Sequence, residues 1–254
     1  MRSLIIVFMF TLSLLIAYII GTNPYYTENI PKIEVSHYDI YISIITLVLV
    51  PFLILLIMKR AKGIILLRIV YYYVYFSCIF FFFMNFYTFL SSLISATILT
   101  IIRFKYEEDL YIRNSIEMLC LIGASLLISQ YLFDVSTALF LLFFIIAYDY
   151  IYVNSKILLK VVDSLYKEKI LPGLLIKGKY KASYLGSGDI IFSSAFSIFF
   201  GNKFGIVYGY LFMLGCILGL FLLIYGRKSK YPATVVILPL GLLFTGIPLI
   251  MKIF

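Results

Sequence analysis

The chain has 254 residues, of which 63% are hydrophobic and only 13% are charged, and its mean hydropathy is +1.08. A soluble domain carries about twice that share of charged residues, and apolar runs of about 18 residues recur along the whole sequence. The composition therefore predicts a polytopic membrane protein and excludes a soluble domain. The net charge of +9 does not indicate nucleic-acid binding, because excess Lys and Arg in membrane proteins mostly lie in cytoplasmic loops.

Nine hydrophobic segments follow one another along the chain, and each can cross roughly 30 Å of hydrocarbon as a helix. The first is expected to be a retained helix and not a cleaved signal peptide, because it lacks an A-x-A-like cleavage site. The break between the third and the fourth depends on Asn85 in "FFFMNFYTF" and on the length of that run. The predicted segments are residues 3–20, 40–58, 63–82, 84–102, 115–132, 136–155, 183–200, 205–225 and 232–253.

The charges of the loops predict the orientation of the chain. If the N-terminus is cytoplasmic and the segments alternate in direction, all but three of the 21 Lys and Arg residues fall on the cytoplasmic side. The exceptions are Lys32, Lys203 and Lys252. A miscount by one helix would scramble this asymmetry, so the charges favour nine helices, a cytoplasmic N-terminus and a C-terminus outside.

The chain is predicted to form a single all-α membrane domain over residues 1–254. Six helices in 1–155 and three helices in 183–254 flank a cytoplasmic loop at 156–182. The loop contains the apolar stretch "ILPGLLI" at 170–176, which is expected to be a short interfacial segment on the membrane. The three cysteines lie far apart inside apolar segments, which favours small core residues over a disulfide framework or a metal site. No metal or other cofactor is predicted.

Two aspartates lie where the chain otherwise avoids charge, in "AYDYI" and in "LGSGDI". Asp149 is about six residues before the cytoplasmic end of the sixth segment, and Asp189 is about six residues after the cytoplasmic start of the seventh. At about 1.5 Å per residue, both lie roughly 9 Å below the same face of the membrane. The two helices run in opposite directions and are joined by one loop, so we expect the two carboxyl groups to be neighbours.

A carboxylate in hydrocarbon is unfavourable unless it is protonated, paired or hydrated. Two carboxyl groups that face each other share a proton, so one can deprotonate a water while the other donates to a carbonyl. This chemistry hydrolyses a peptide bond without a covalent intermediate. Gly186 and Gly188, on either side of Ser187, remove side chains where a second backbone would approach. The spacing alone also allows a helix cap, an ion pair with Lys or Arg, or a proton or cation relay in a transporter.

The other acids are expected to have different roles. Asp134, between the fifth and sixth segments, is predicted to cap a helix. Glu107, Glu108 and Asp109 form a loop cluster that is expected to be solvated, and Glu117 is expected at the membrane interface. None of them lies at the depth of the two aspartates.

"YD" in the sixth segment and "GSGD" in the seventh resemble the paired motifs of the presenilin and signal peptide peptidase family, which are nine-helix intramembrane aspartyl proteases. A third motif of that family, Pro-Ala-Leu, opens the ninth helix. Here "YPATVVILP" has Pro232 and Ala233, but Thr234 in place of Leu. The resemblance covers the helix number, the order of the three motifs and the long loop between the aspartates. The predicted cytoplasmic N-terminus is similar to presenilin and opposite to signal peptide peptidase, and the short chain favours a prokaryotic, for example archaeal, homologue.

The resemblance implies an aspartic endopeptidase of the GxGD type, with Asp149 and Asp189 as its catalytic pair. Its substrates and partners would be transmembrane segments of other proteins in the bilayer of the cell membrane, and nothing specifies accessory subunits. Such a segment has to unwind, and an extended strand paired beside the seventh helix would satisfy its backbone. The residues implied to support the substrate or the active site are Tyr148, Gly186, Ser187, Gly188, Pro232, Ala233 and Thr234.

Other hydrolases fit less well. A zinc protease needs H-E-x-x-H and an intramembrane serine protease needs a histidine base, whereas the single histidine, His37, lies outside the predicted helices. The sequence lacks G-x-x-x-x-G-K-[ST], so ATP-driven transport has no phosphate-binding loop. Prepilin and preflagellin peptidases share G-x-G-D but place the first aspartate near the start of a shorter chain. A proton- or cation-coupled transporter or channel that uses the same acids, and an inactive homologue that binds helices, stay open.

Overall fold

Eight helices and one two-stranded sheet make up the described part of the protein in a computed structural model. The helices are α1 (Arg2–Thr22), α2 (Gly63–Met84), α3 (Phe89–Lys105), α4 (Leu110–Ser129), α5 (Val135–Asn154), α6 (Ser187–Phe204), α7 (Ile206–Tyr225) and α8 (Thr234–Ile253). The strands are β1 (Gly173–Ile176) and β2 (Ser183–Gly186). The described residues are 2–24, 45, 49, 53–54, 56–57, 63–132, 134–155, 165, 170, 173–176, 183–225 and 233–253.

The eight helices coincide with eight of the nine predicted segments, and most of the segment at 40–58 lies outside the described residues. Five helices are long and apolar enough to cross a membrane, namely α1, α2, α4, α7 and α8. The apolar part of α5 is shorter. The described chain is therefore a helical membrane protein, as the composition predicts.

Polar residues between the apolar runs determine where helices end and begin. The Asn85 side chain donates from Nδ2 to two carbonyls in the last turn of α2, at 2.8 and 3.0 Å, which confirms the predicted break. Asp134 Oδ1 accepts the Thr137 N–H at 2.6 Å, so the predicted cap is also confirmed. Asp109, expected to be a solvated loop residue, caps α4 by accepting two backbone N–H groups at 2.9 and 3.1 Å. For this reason α4 begins at Leu110 and not at position 115 as predicted.

A short β-hairpin precedes α6, where the sequence predicted a loop and the start of a helix. β1 and β2 are antiparallel, with Gly173 opposite Gly186 and Ile176 opposite Ser183. The apolar stretch at 170–176 therefore contributes a strand, and Leu174 of that strand is buried in the main core cluster. The prediction that this stretch lies on the membrane surface is wrong for residues 173–176. Because 183–186 form β2, the seventh predicted helix starts later, at Ser187.

The helices pack closely at glycines, which is typical of association between membrane helices. A Cβ atom at Gly123 of α4 would lie only 2.0 Å from the Cys78 carbonyl oxygen of α2. A Cβ atom at Gly215 of α7 would lie 2.4 Å from the Leu240 carbonyl oxygen of α8. α6 lies between α1, α4 and α7, so the first turn of α6 is held by packing on several sides. The three cysteines are free and buried, as predicted for core residues.

Candidate active site

Asp149 lies near the C-terminal end of α5, and α5 packs against α8. The Asp149 carboxylate accepts hydrogen bonds from both the hydroxyl and the backbone N–H of Thr234. Thr234 is the first residue of α8, and its side chain is buried. The first N–H groups of a helix have no partners within the helix, so this end of α8 is suited to hold a carboxylate. The third motif therefore contacts the first aspartate directly.

Asp189 lies in the first turn of α6, three residues after the N-cap residue Gly186. The Gly186 backbone N–H donates a hydrogen bond to the Asp189 carboxylate. A carboxylate that reaches back to the N–H of the N-cap residue forms one half of a capping box. Because β2 ends at Gly186 and α6 begins at the next residue, the hairpin determines where Asp189 lies.

The two aspartates are close enough for the charge of Asp149 to act on Asp189. The structure therefore brings the two carboxyl groups within reach of each other's charge, although they come from different helices. Two carboxyl groups that act on each other in this way cannot both ionise at little cost. The pair is held by α5, by the junction of β2 and α6, and by the start of α8.

Gly186 and Gly188 differ in their surroundings. A Cβ atom at Gly186 would lie 3.1 Å from Asp189 Oδ2, so a side chain there would press on the carboxylate. The φ of Gly186 is −63°, which any residue can adopt, so the effect of a side chain here would come from its contact with the Asp189 carboxylate and not from backbone strain. A Cβ atom at Gly188 would meet Phe192 at 3.7 Å, an ordinary contact distance. Ser187, between the two glycines, is half-buried and begins α6.

The remaining predicted residues are less directly connected to the aspartates. The Tyr148 ring is stacked on the Phe144 ring, with 6.2 Å between the centroids, and its support of Asp149 stays a prediction. Ala233 packs beside the main core cluster, and its carbonyl accepts the Ile237 N–H at 2.9 Å in the first turn of α8. Pro232 lies outside the described residues.

Some polar residues near the site were not predicted to contribute to it. Glu117, expected at the membrane interface, is fully buried, and its Oε1 accepts the Gly173 N–H of β1 at 2.9 Å. Arg103, expected in a cytoplasmic loop, belongs to α3 and is also fully buried, beside Glu117. The signal in the sequence is one basic and one acidic residue, each next to or within an apolar segment, with opposite charges that can pair. The hydrogen bond from Thr234 to Asp149 joins positions 85 residues apart, which spacing alone cannot reveal.

No protein-family model matches the chain, and no curated protein matches it.

Proposed function

We propose that this protein is an intramembrane aspartyl protease of the kind its three motifs resemble. The observation that carries the proposal is that Asp149 lies close enough for its charge to act on Asp189, while Thr234 of the third motif donates hydrogen bonds to Asp149. Over the described residues neither carboxylate is paired with Lys or Arg, as a purely structural buried acid commonly is. Two acids that share a proton are the arrangement that hydrolysis of a peptide bond by an activated water requires.

In the proposed reaction, the ionised member of the pair takes a proton from a water molecule. The water oxygen attacks the carbonyl carbon of the substrate, and the protonated member donates its proton to the carbonyl oxygen. In the tetrahedral intermediate, the ionised member of the pair takes a proton from one hydroxyl group and the protonated member gives its proton to the peptide nitrogen, so that the C–N bond breaks and the products are a carboxylic acid and an amine. The pair finishes with the same single shared proton. Thr234 acts by holding the plane of the Asp149 carboxylate with its two donors.

The hairpin offers a place for an unwound substrate. A peptide bond within an intact helix is shielded, and once the helix opens its backbone groups need new partners. Over the described residues no third strand pairs with β2, and β2 ends at the residue before α6, the helix that carries Asp189. We therefore propose that the substrate adds a strand to the outer edge of β2, which leads directly to Asp189.

The proposed topology has nine spans of the cell membrane, with the N-terminus on the cytoplasmic side and the C-terminus on the outer side. The asymmetry of Lys and Arg supports this orientation. The active-site pair would then lie in the cytoplasmic half of the bilayer, near the hairpin.

The experiment that tests the function is cleavage of a tagged single-pass membrane protein by the purified chain in detergent, with mass spectrometry of the fragments. Wild type, Asp149→Asn and Asp189→Asn are compared, each with and without a transition-state inhibitor of aspartyl proteases. Asn has the shape of Asp but cannot act as the acid or the base, so either substitution is expected to abolish cleavage. Asp134→Asn is the matched control, because Asn caps a helix about as well as Asp.

Cleavage that persists in either Asn variant of the pair would contradict the proposal. If the wild type cleaves none of several substrates, the same proteins are reconstituted into liposomes. Proton or cation flux that requires both aspartates and resists the inhibitor would then identify a transporter. Binding of a transmembrane segment without cleavage would identify an inactive helix-binding protein.

A further inference from the structure

A pair of opposite charges is buried among α2, α3 and α4, apart from the two aspartates. Glu117 and Arg103 are both fully buried, with 3.8 Å between Glu117 Oε2 and Arg103 Nε. The Tyr71 hydroxyl accepts a hydrogen bond from Arg103 Nη2 at 3.4 Å and donates one to Glu117 Oε2 at 3.5 Å. The Arg103 guanidinium also lies over the Tyr75 ring, 5.8 Å from its centroid. Three helices therefore meet at one carboxylate.

This buried ion pair is not expected to contribute much to the stability of the fold. Removing two charges from water is unfavourable, and their attraction offsets that cost only when the hydrogen bonds are complete. Arg103 Nε and Nη1 have no hydrogen-bond partner over the described residues, so the pair is incompletely satisfied. Apolar side chains of similar volume are often at least as stabilising at such a place. The position of the Glu117 carboxylate therefore calls for a reason other than packing.

The second oxygen of Glu117 supplies such a reason. Glu117 Oε1 accepts the Gly173 N–H at 2.9 Å, across 56 positions of sequence. Gly173 begins β1 with a φ of +140°, a conformation that favours glycine. The backbone of the hairpin is thus attached to α4 through the N–H of Gly173. The direction of this N–H follows from a backbone conformation that favours glycine.

From Gly173 the connection continues to the second aspartate. Gly173 lies opposite Gly186 in the antiparallel sheet. Opposite residues in such a sheet alternate between pairs that exchange hydrogen bonds and pairs that do not. Because the Gly173 N–H is bound by Glu117, the pair with Gly186 is of the second kind. The Gly186 N–H therefore points away from β1, where it donates to the Asp189 carboxylate.

We propose that Glu117 is a positioning residue of the active site, which anchors the hairpin through the Gly173 N–H and thereby places Asp189, with Arg103 as its counter-ion. The inference rests on the proposed proteolytic function and adds to it a residue outside the three motifs. Glu117 does not touch the reacting atoms. It acts by fixing the strand that leads into α6 and offers its edge to the substrate.

Two double variants separate anchoring from charge pairing. In Arg103→Met with Glu117→Gln, the ion pair is absent but an amide oxygen still faces the Gly173 N–H. In Arg103→Met with Glu117→Met, the ion pair is absent and so is the acceptor. Arg113, whose charge also acts on Glu117, is unchanged in both and cancels in the comparison. The single variant Glu117→Met would leave Arg103 buried without its counter-ion, and it is expected to fold poorly.

The first readout is hydrogen–deuterium exchange of peptides covering 173–176 and 183–186, which needs no enzyme activity. We expect faster exchange in the variant without the acceptor than in its Gln partner, at similar melting temperatures. The second readout is cleavage kinetics. We expect kcat to be on the order of 10-fold to 100-fold lower without the acceptor, as for a catalytic group misplaced by about 1 Å. KM should change less than kcat, and the Gln partner should recover most of the lost turnover.

The possible failures are distinguishable. Equal rates of hydrogen–deuterium exchange in the hairpin of the two double variants would contradict the proposal that Glu117 anchors the hairpin. Equal kcat values in the two double variants, in an assay where the wild type cleaves, would contradict the positioning role of Glu117 but not the proposed proteolytic function. A wild type that cleaves no substrate would overturn the proposed function, and the exchange comparison would still decide whether Glu117 holds the hairpin.

Discussion

Thr234 stands where the family that the motifs resemble has leucine, and leucine has no side-chain hydrogen-bond donor. In this chain the Thr234 hydroxyl donates to Asp149 alongside the backbone N–H of the same residue. With leucine at this position, the backbone N–H would be the one donor that the residue offers to Asp149. Two donors from one residue restrict both the place and the plane of the carboxylate. At the residue scale, the departure from the motif therefore adds a contact to Asp149 in the proposed active site.

Replacing Thr234 with Val tests this contact, because Val keeps the β-branched shape and removes only the hydroxyl. A hydrogen bond to a charged group contributes roughly 1.5–3 kcal/mol, so we expect kcat/KM to fall on the order of 10-fold to 100-fold. The measurement is steady-state cleavage of a single-pass substrate in detergent. Thr234→Ser retains the hydroxyl and is the matched control, with a smaller expected loss.

A Val variant as active as the wild type would show that the hydroxyl contributes nothing to turnover. A loss in the Ser variant as large as that in the Val variant would show that the methyl group of Thr234 contributes as much to turnover as its hydroxyl. The sequence could not indicate this contact, although it predicted that the two aspartates lie at a common depth. Depth follows from the 1.5 Å rise of a helix, whereas a contact between α5 and α8 depends on how the helices pack.

At the scale of elements, long apolar runs predicted helices well, and polar residues in the breaks explain where the helices end. Asn85 and Asp134 were identified in this way because their side chains act on backbone groups within a few residues. The hairpin was missed because its strands have four residues each and lie on either side of a basic stretch. Such short strands carry little periodicity, and their pairing depends on tertiary contacts such as that of Glu117 with Gly173.

The packing of α2 against α4 makes a prediction at this scale. Ala at position 123 would bring its Cβ to 2.0 Å from the Cys78 carbonyl oxygen, so the two helices would have to separate. We expect Gly123→Ala to lower the free energy of unfolding by about 1–3 kcal/mol, as overpacking in a core does. The melting temperature in detergent is the measurement.

Gly246→Ala in α8 is the control for Gly123→Ala, because among the described residues no atom outside the adjoining turns of α8 lies within 4 Å of the added Cβ. Alanine is a better helix former than glycine by about 1 kcal/mol, so this control should be neutral or stabilising. Similar decreases in melting temperature for both variants would contradict the close approach of α2 and α4.

At the scale of the whole molecule, residues far apart in the sequence converge on one end of the helical assembly. Asp149, Asp189 with the hairpin, and Thr234 come from three separate parts of the chain and meet there. Lys203 lies at the other end of α6 from Asp189, about 21 Å away along the helix axis. In the proposed topology α6 crosses the membrane, so its orientation decides on which side of the bilayer the proposed active site lies, and this orientation is open to direct measurement.

The proposed topology places the loop between α3 and α4 in the cytoplasm and the loop between α6 and α7 outside. Glu108 is exposed in the first of these loops and Lys203 is exposed in the last turn of α6, next to the second loop, while the three native cysteines are buried and should label weakly. We expect a membrane-impermeant maleimide to label Lys203→Cys in intact cells, and Glu108→Cys only after permeabilisation. The reverse result would mean an inverted chain with its aspartates near the outer face. Labelling of both positions from one side would mean an even number of spans between them, which would contradict the count of nine.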